Sequence, residues 1–425
     1  MNDTLVTMTL IFVVAVMAPL LSDALGRNRI SGVVIEILGG VVIGPAVLDV
    51  AHLTSGVKGI AELGLAFLMF FAGFEIDFAE VRGRPMTLAI TGWLVSAALA
   101  VAVGVAVQLG AGAASWTVIG LALATTALAV LMPLWRDAGV IGTAFGLQGI
   151  ASGTVGEFGP IVLVGLVLTD TSAARTTVVL VIFVVVAVAA AALASQPKSM
   201  RVLGALRRHT HTSSQLPVRI TALILVSLLL LASTFGVDVL IGAFAAGIVV
   251  RLGSAGLDLE VVSGKLDAIG YGLLIPIFFV VSGIQLDVHD LVHDPRALIR
   301  IPVFLVGFLV VRGVPVWLLY RKTLRPGQRL PFALFSATTL PLVVVIAELG
   351  LSAHLIEPAT AAALEAAAVL SVLVFPTAAF RLLDRLPGGV PDGLGPEVAG
   401  TGGAPGVPVR PGGAGLQWPD DHGRQ

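Results

Sequence analysis

Apolar runs about twenty residues long, separated by short clusters of charge and glycine, recur from one end of this chain almost to the other, and nothing constrains its fold more. Such runs occupy residues 4–24, 30–48, 61–77, 85–110, 114–134, 144–169, 175–195, 219–235, 237–252, 266–284, 298–319, 330–350 and 359–384. A helix of twenty residues rises about 30 Å, the thickness of a bilayer's hydrocarbon core, so each run is a candidate membrane span. Thirteen spans in an all-α, polytopic membrane protein are the expectation. The eighth and ninth are short, and only Phe235-Gly236-Val237-Asp238 separates them. With 57% apolar and 12% charged residues, the chain lacks the polar surface that a soluble domain of 425 residues needs. Lipid covers what water cannot.

The first run lacks a basic leader and a small-residue cleavage site, so it is expected to remain as a span. Beyond Leu386 the sequence turns to glycine and proline, as in Pro387-Gly388-Gly389 and Arg410-Pro411-Gly412-Gly413. It offers almost nothing to bury, and 386–425 is expected to be a disordered tail after a transmembrane domain spanning 1–385.

Charge gives the orientation. Thirteen spans place alternate loops on opposite sides, and one set of loops holds eighteen Lys and Arg, among them Arg27, Arg82, Arg136, Arg207, Arg321 and Arg385. The other set holds only Lys58, Arg175 and Arg296, and its longest loop, 287–294, is acidic. Basic loops stay in the cytoplasm, which predicts an N-terminus outside and a C-terminus inside. A net charge of −1 leaves no basic stripe for nucleic acid. With no cysteine there are no disulfides or thiolate metal sites, and the seven histidines follow no metal-ligand spacing. No metal and no cofactor are expected.

The halves repeat each other at an offset of about 210 residues. Leu38-Gly39-Gly40-Val41-Val42 matches Ala245-Ala246-Gly247-Ile248-Val249. Ala72-Gly73-Phe74-Glu75-Ile76-Asp77 matches Ser282-Gly283-Ile284-Gln285-Leu286-Asp287, and Ala124-Thr125-Thr126-Ala127 matches Ala337-Thr338-Thr339-Leu340-Pro341. The offset amounts to seven spans, an odd number, so the copies, about 30–170 and 237–385, lie inverted in the membrane. Inverted repeats mark secondary transporters, whose sites form at the midplane where interrupted helices from both copies meet. Thr125-Thr126 and Thr338-Thr339 are the expected interruptions: hydroxyls can replace lost backbone partners, and Pro341 removes a donor. Thr pairs that merely bond back onto unbroken helices are the plainer alternative.

One carboxylate stands out against this background. Glu157 lies in the middle of run 144–169, where a lone charge costs about 2.5–3.5 kcal/mol on insertion scales. It must face a cavity or a partner, and a carboxyl group so placed can take up and release a proton. Gly153, Gly156 and Gly159 thin the helix around it, and Ser152 and Thr154 flank it with hydroxyls that could ligate an alkali ion. A protonated Glu inside a packed bundle is the structural alternative. Arg312 is the one basic residue deep in a span; it can pair with Glu157 or reach back to the interface. Glu36, Glu75 and Asp77, near the cytoplasmic ends of spans, are possible funnel acids, whereas Glu348 and Glu365 lie toward the outer ends. Acids at span ends are more often simply solvated.

Several stretches together resemble the monovalent cation:proton antiporters of the second family, which includes the Kef-type potassium efflux systems. They are Glu36-Ile37-Leu38-Gly39-Gly40-Val41-Val42-Ile43-Gly44-Pro45, Glu62-Leu63-Gly64 leading to Phe70-Phe71-Ala72-Gly73-Phe74-Glu75, Gly242-Ala243-Phe244-Ala245-Ala246-Gly247, and Pro276-Ile277-Phe278-Phe279 with Gly283. The resemblance covers residues 4–385. It implies a carboxylate in the sixth span that alternately holds a proton and a cation, which Glu157 supplies; the polar residue that usually precedes it is replaced by Gly156. It further implies a core bundle of spans four to six and eleven to thirteen, a panel of spans one to three and eight to ten, a homodimer formed through the panel, and residence in the inner membrane. The expected function is electroneutral exchange of Na⁺ or K⁺ for H⁺. A transport-inactive sensor or regulatory subunit on the same fold, and a cation channel, are the rivals. No nucleophile–base pair or phosphate loop suggests an enzyme.

Overall fold

The computed structural model describes residues 2–24, 32–75, 83–111, 115–167, 215–235, 239–254, 259–286 and 295–386. Within them all regular structure is helical. In chain order the helices are α1 (Asn2–Ala24), α2 (Gly32–Ile43), α3 (Ser55–Phe74), α4 (Arg84–Ala111), α5 (Trp116–Leu123), α6 (Leu128–Asp137), α7 (Ala144–Val167), α8 (Leu216–Phe235) and α9 (Val239–Gly253). Next, α10 joins Leu259–Ile269 and Ile275–Gln285 through a π-turn, Gly270–Leu274, and α11 joins Pro295–Phe308 and Val314–Leu319 through another, Leu309–Gly313. Then come α12 (Pro326–Ala337), α13 (Pro341–Ser352) and α14 (Pro358–Asp384).

Ten described segments are long and apolar enough to cross a membrane, and α2 and α9 are shorter apolar helices. These account for twelve of the thirteen expected spans. The seventh, at 175–195, lies outside the described residues, as do Asp77 and all but the first residue of the expected tail. Two of the ten are interrupted, because α5 and α6 together form one span and α12 and α13 another. The breaks fall at 124–127 and 338–340, on the two Thr pairs. Pro341 opens α13, where its missing N–H would have had no helical partner in any case.

The helices sort into two groups. α1, α2 and α3 pack with α8, α9 and α10, while α4 to α7 pack among themselves and with α11 to α14. This is the division into panel and core that the resemblance implies. Within the panel the pairing follows the repeat, with α3 against α9 and α2 against the second half of α10. Glycine makes both crossings possible. A Cβ on Gly73 would lie 2.1 Å from the Phe244 carbonyl oxygen and one on Gly247 2.0 Å from that of Phe70. One on Gly40 would lie 2.0 Å from the Val280 oxygen and one on Gly283 2.0 Å from that of Ile37. Gly40 corresponds to Gly247 in the repeat, and Gly73 to Gly283. One contact, made twice, knits the two copies together with backbones touching, the packing that small residues permit in lipid.

Gly73→Ala is therefore expected to destabilise the detergent-solubilised protein by about 1–3 kcal/mol or more, the cost of overpacking against a backbone that cannot yield. Gly59, on the same helix, has nothing within 4 Å of its would-be Cβ. Gly59→Ala is expected to be neutral or to stabilise by up to about 1 kcal/mol through helix propensity. Thermal unfolding followed by fluorescence checks the pair, and equal melting temperatures would contradict the crossing.

Candidate functional site

Each helix break leaves backbone groups without intrahelical partners, and in an apolar interior every one of them is expensive. The two breaks satisfy each other. Ala127 N–H donates to the Thr338 carbonyl at 2.8 Å, and the Thr125 and Thr339 hydroxyls hydrogen-bond across the crossing. Thr126 Oγ1 donates to the Ser336 carbonyl at 2.5 Å, while its amide donates to the Gly156 carbonyl at 3.0 Å, which ties the crossing to α7. Ser371 of α14 serves both sides of Thr339, accepting from its amide at 3.0 Å and donating to its carbonyl at 2.7 Å. Trp93 of α4 donates from Nε1 to the Ala124 carbonyl at 3.3 Å. Thr125, Thr126, Thr338 and Thr339 are all within 1% of complete burial.

Glu157 sits beside this crossing, 1% exposed, and neither carboxylate oxygen has a hydrogen-bond partner among the described residues. The nearest help is electrostatic. The amides of Leu128 and Ala129, the first two residues of α6, are directed at the carboxylate without closing an ordinary hydrogen bond. The positive end of a half-helix thus faces a buried acid, while the C-terminal carbonyl ends of α5 and α12 lie at the same crossing. Phe158 stacks on Phe244 with centroids 5.2 Å apart and sets α7 against α9, so Glu157 lies where core meets panel.

Arg312 does not reach back to the interface. It is 1% exposed, lies in the second π-turn and forms no ion pair with Glu157, which departs from the pairing that the sequence suggests. Its Nε donates to Thr126 Oγ1 at 2.8 Å, Nη1 to Ser96 Oγ at 3.3 Å and Nη2 to the Ser152 carbonyl at 3.3 Å. The absent side chain at position 156 explains the placement. A Cβ on Gly156 would lie 2.3 Å from Arg312 Nη2 and 2.8 Å from Thr126 Oγ1. The guanidinium fills the room that a larger residue would take, and it pins the first helix break.

The other candidates scatter. Ser152 lends Arg312 its carbonyl. Thr154 Oγ1 bonds back to the Ile150 carbonyl at 2.8 Å, as a packing Thr does, and Thr338 Oγ1 does the same to Leu334 at 3.1 Å. Glu36 is buried on α2. Glu75, expected to be solvated, is drawn inward and paired with Arg136 at 2.7 Å. No group of three or more metal-ligating side chains occurs among the described residues. Ser96, Ser371 and Trp93 do not stand out in the sequence, because single Ser and Trp residues in apolar helices carry no local signal.

Two broken helices crossing beside a buried carboxylate, in a bundle of paired repeats, define a secondary transporter fold. The chain belongs to the sodium/hydrogen exchanger transmembrane family, which it matches over residues 12–385. It is 26% identical over 400 residues to YjbQ of Bacillus subtilis, named as a candidate Na⁺/H⁺ antiporter, covering 90% of this chain and 64% of that one. It is 26% identical over 304 residues to cation/H⁺ antiporter 19 of Arabidopsis thaliana, covering 65% and 37%. With the glutathione-regulated potassium-efflux protein KefC of Escherichia coli it shares 26% over 378 residues, covering 82% and 56%. The chain thus spans 37% to 64% of the length of these relatives. The fold is that of the sodium proton antiporter MjNhaP1 of Methanocaldococcus jannaschii, with a TM-score of 0.62 at 15% identity over 88% of this chain and 96% of that one.

The hydrogen bonds of Arg312 predict its energetic weight. Arg312→Ala is expected to cost on the order of 3 kcal/mol, because it removes a buried cation that three acceptors share. Arg300→Ala, which gives up a bond to Thr360 and a distant, half-exposed partner in Glu357, is expected to cost about 1 kcal/mol or less. Gly156→Ala should resemble Arg312→Ala in direction, since it evicts the same guanidinium. Melting curves of the three variants compare them, and a Gly156→Ala protein that melts with the parent would refute the account of position 156.

Proposed function

We propose that this chain exchanges a monovalent cation, Na⁺ or K⁺, for H⁺ across the inner membrane by alternating access, with Glu157 holding the two in turn. The observation that carries this reading is a buried carboxylate with no hydrogen-bond partner among the described residues, beside two crossed helix breaks. In hydrocarbon such an acid is tolerated either neutral, with its proton, or charged, with a cation beside it. Half-helix ends supply the rest: the amides that open α6 favour the charged form, and the carbonyl ends of α5 and α12 offer oxygen to a dehydrated ion. The core carrying Glu157 moves against the panel, and the panel forms the homodimer. The termini lie as the Lys/Arg bias directs, outside and inside.

Exchange should be electroneutral. Position 156 supplies no second acid, and one carboxyl group trades one proton for one monovalent cation. A net charge per cycle would couple to voltage at about 2.3 kcal/mol per 100 mV. In voltage-clamped proteoliposomes the Na⁺/H⁺ exchange rate is expected not to change with imposed potential. A voltage-dependent rate would mean that another acid shares the load.

Glu157→Gln keeps shape and insertion but removes the titratable proton, so it is expected to abolish cation-dependent proton movement. Glu157→Asp should retain part of it with altered cation affinity. Everted vesicles with a pH probe and each alkali cation in turn give the readout. Undiminished exchange by the Gln variant would sink the assignment. A parent that moves no ion would point to the sensor reading, and one that moves ions without counter-transport to a channel.

A further inference from the structure

The half-helix α6 has a charged group at its far end as well. Arg136, in its last turn, donates from Nη2 to Glu75 Oε1 at 2.7 Å and from Nη1 to Asp267 Oδ2 at 3.3 Å. Arg136 belongs to the core, whereas Glu75 caps α3 and Asp267 lies on α10, both in the panel. The three form an ion bridge across the interface where core and panel must part. They lie at the span ends that carry the Arg-rich loops. Exposure is graded: the Arg136 side chain is 46% exposed, that of Asp267 28% and that of Glu75 9%. The guanidinium is at the water's edge, and the carboxylate that holds it is drawn into the protein.

Behind the bridge the polar groups lack partners. Glu75 Oε2 and the Tyr271 hydroxyl are both buried without a hydrogen bond. Tyr271 stands in the first π-turn, its ring stacked on Phe71 at 4.7 Å, one helical turn before Glu75. Its hydroxyl is within electrostatic reach of Glu75, Arg136, Asp267 and Glu157. Two buried oxygens without a hydrogen bond among the described residues thus lie within electrostatic reach of Glu157.

We propose that Arg136 is a removable plug: its guanidinium occupies a monovalent-cation site made by Glu75 and Asp267, and the path from this face to Glu157 opens when a cation from solution takes its place. The inference rests on Glu157 as the exchange site, but its gating part can be read without transport. Removing the plug exposes the interior. A cation competing for Glu75 and Asp267 does the same reversibly, so access on this face rises with cation concentration.

The chain has no cysteine, so one introduced thiol is the sole reporter. Phe158→Cys places it at the core–panel contact next to Glu157. In everted vesicles, which present the cytoplasmic face, a membrane-impermeant maleimide is expected to label this thiol slowly. Adding Arg136→Ala or Glu75→Gln should speed labelling at least about fivefold, and raising Na⁺ or K⁺ should speed it in the parent but not in Glu75→Gln. The charge swap Arg136→Glu with Glu75→Arg should return the rate to within about twofold of the parent. Should Arg136→Ala fail to insert, Asp267→Asn with Glu75→Gln gives the same readout with isosteric changes. Labelling that is indifferent to these substitutions, to the swap or to the cation overturns the plug. Loss of the exchange reading alone would show as absent transport with the labelling pattern intact.

Discussion

The structure depends on one requirement, that no backbone polar group stay unpaired inside hydrocarbon. Two helices are broken at the centre of this protein, and where the breaks cross they satisfy part of each other's freed groups. The bond from Ala127 to the Thr338 carbonyl and the Thr125–Thr339 hydroxyl contact join the two repeats at one point. Ser371, Trp93 and Arg312 then take up what the crossing leaves over. The site is thus built from both halves of the chain.

Charge is distributed around the crossing by the same logic. Arg312 is a permanent cation in the core, and it is tolerated because three acceptors surround it, not because an acid neutralises it. Glu157, one residue from Gly156, is left without a hydrogen-bond partner among the described residues. The division of labour is physically sensible. On the exchange proposed for Glu157, a guanidinium bonded to the carboxylate would have to be displaced in every cycle, whereas one bonded to Thr126 holds the helix break and leaves the carboxylate unengaged. Gly156 makes this arrangement possible, since any side chain there would collide with the guanidinium.

Glycine does parallel work in the panel. The crossings at Gly73–Gly247 and Gly40–Gly283 bring backbones into contact along α3, α9, α2 and α10, fixing a rigid wall against which the core is set. The core–panel interface contrasts with this. Besides apolar packing it includes the Phe158–Phe244 stack and the Arg136 bridge, contacts made by side chains and not by touching backbones.

Much of this was legible in the sequence. Hydrophobic runs are dictated by bilayer thickness, so they fix the spans; the repeat of Gly40 in Gly247 and of Gly73 in Gly283 anticipates the crossings, and the paired Thr residues mark both breaks. Glu157 declares itself because a charge at a span's centre needs a reason. Tertiary structure alone decided the partners. That Arg312 turns to Thr126 depends on a π-turn, a one-residue slip in hydrogen bonding for which no local signal exists in an apolar run. That Ser96 and Ser371 serve the site, while Thr154 does not, depends on which face of each helix meets a neighbour. Glu75 reads in sequence as a solvated acid at a helix end, and becomes a buried partner of Arg136 only when two helices sixty residues apart are laid side by side. One-dimensional pattern reports the solvent each residue must meet; pairing between distant residues is set by packing, which that pattern does not contain.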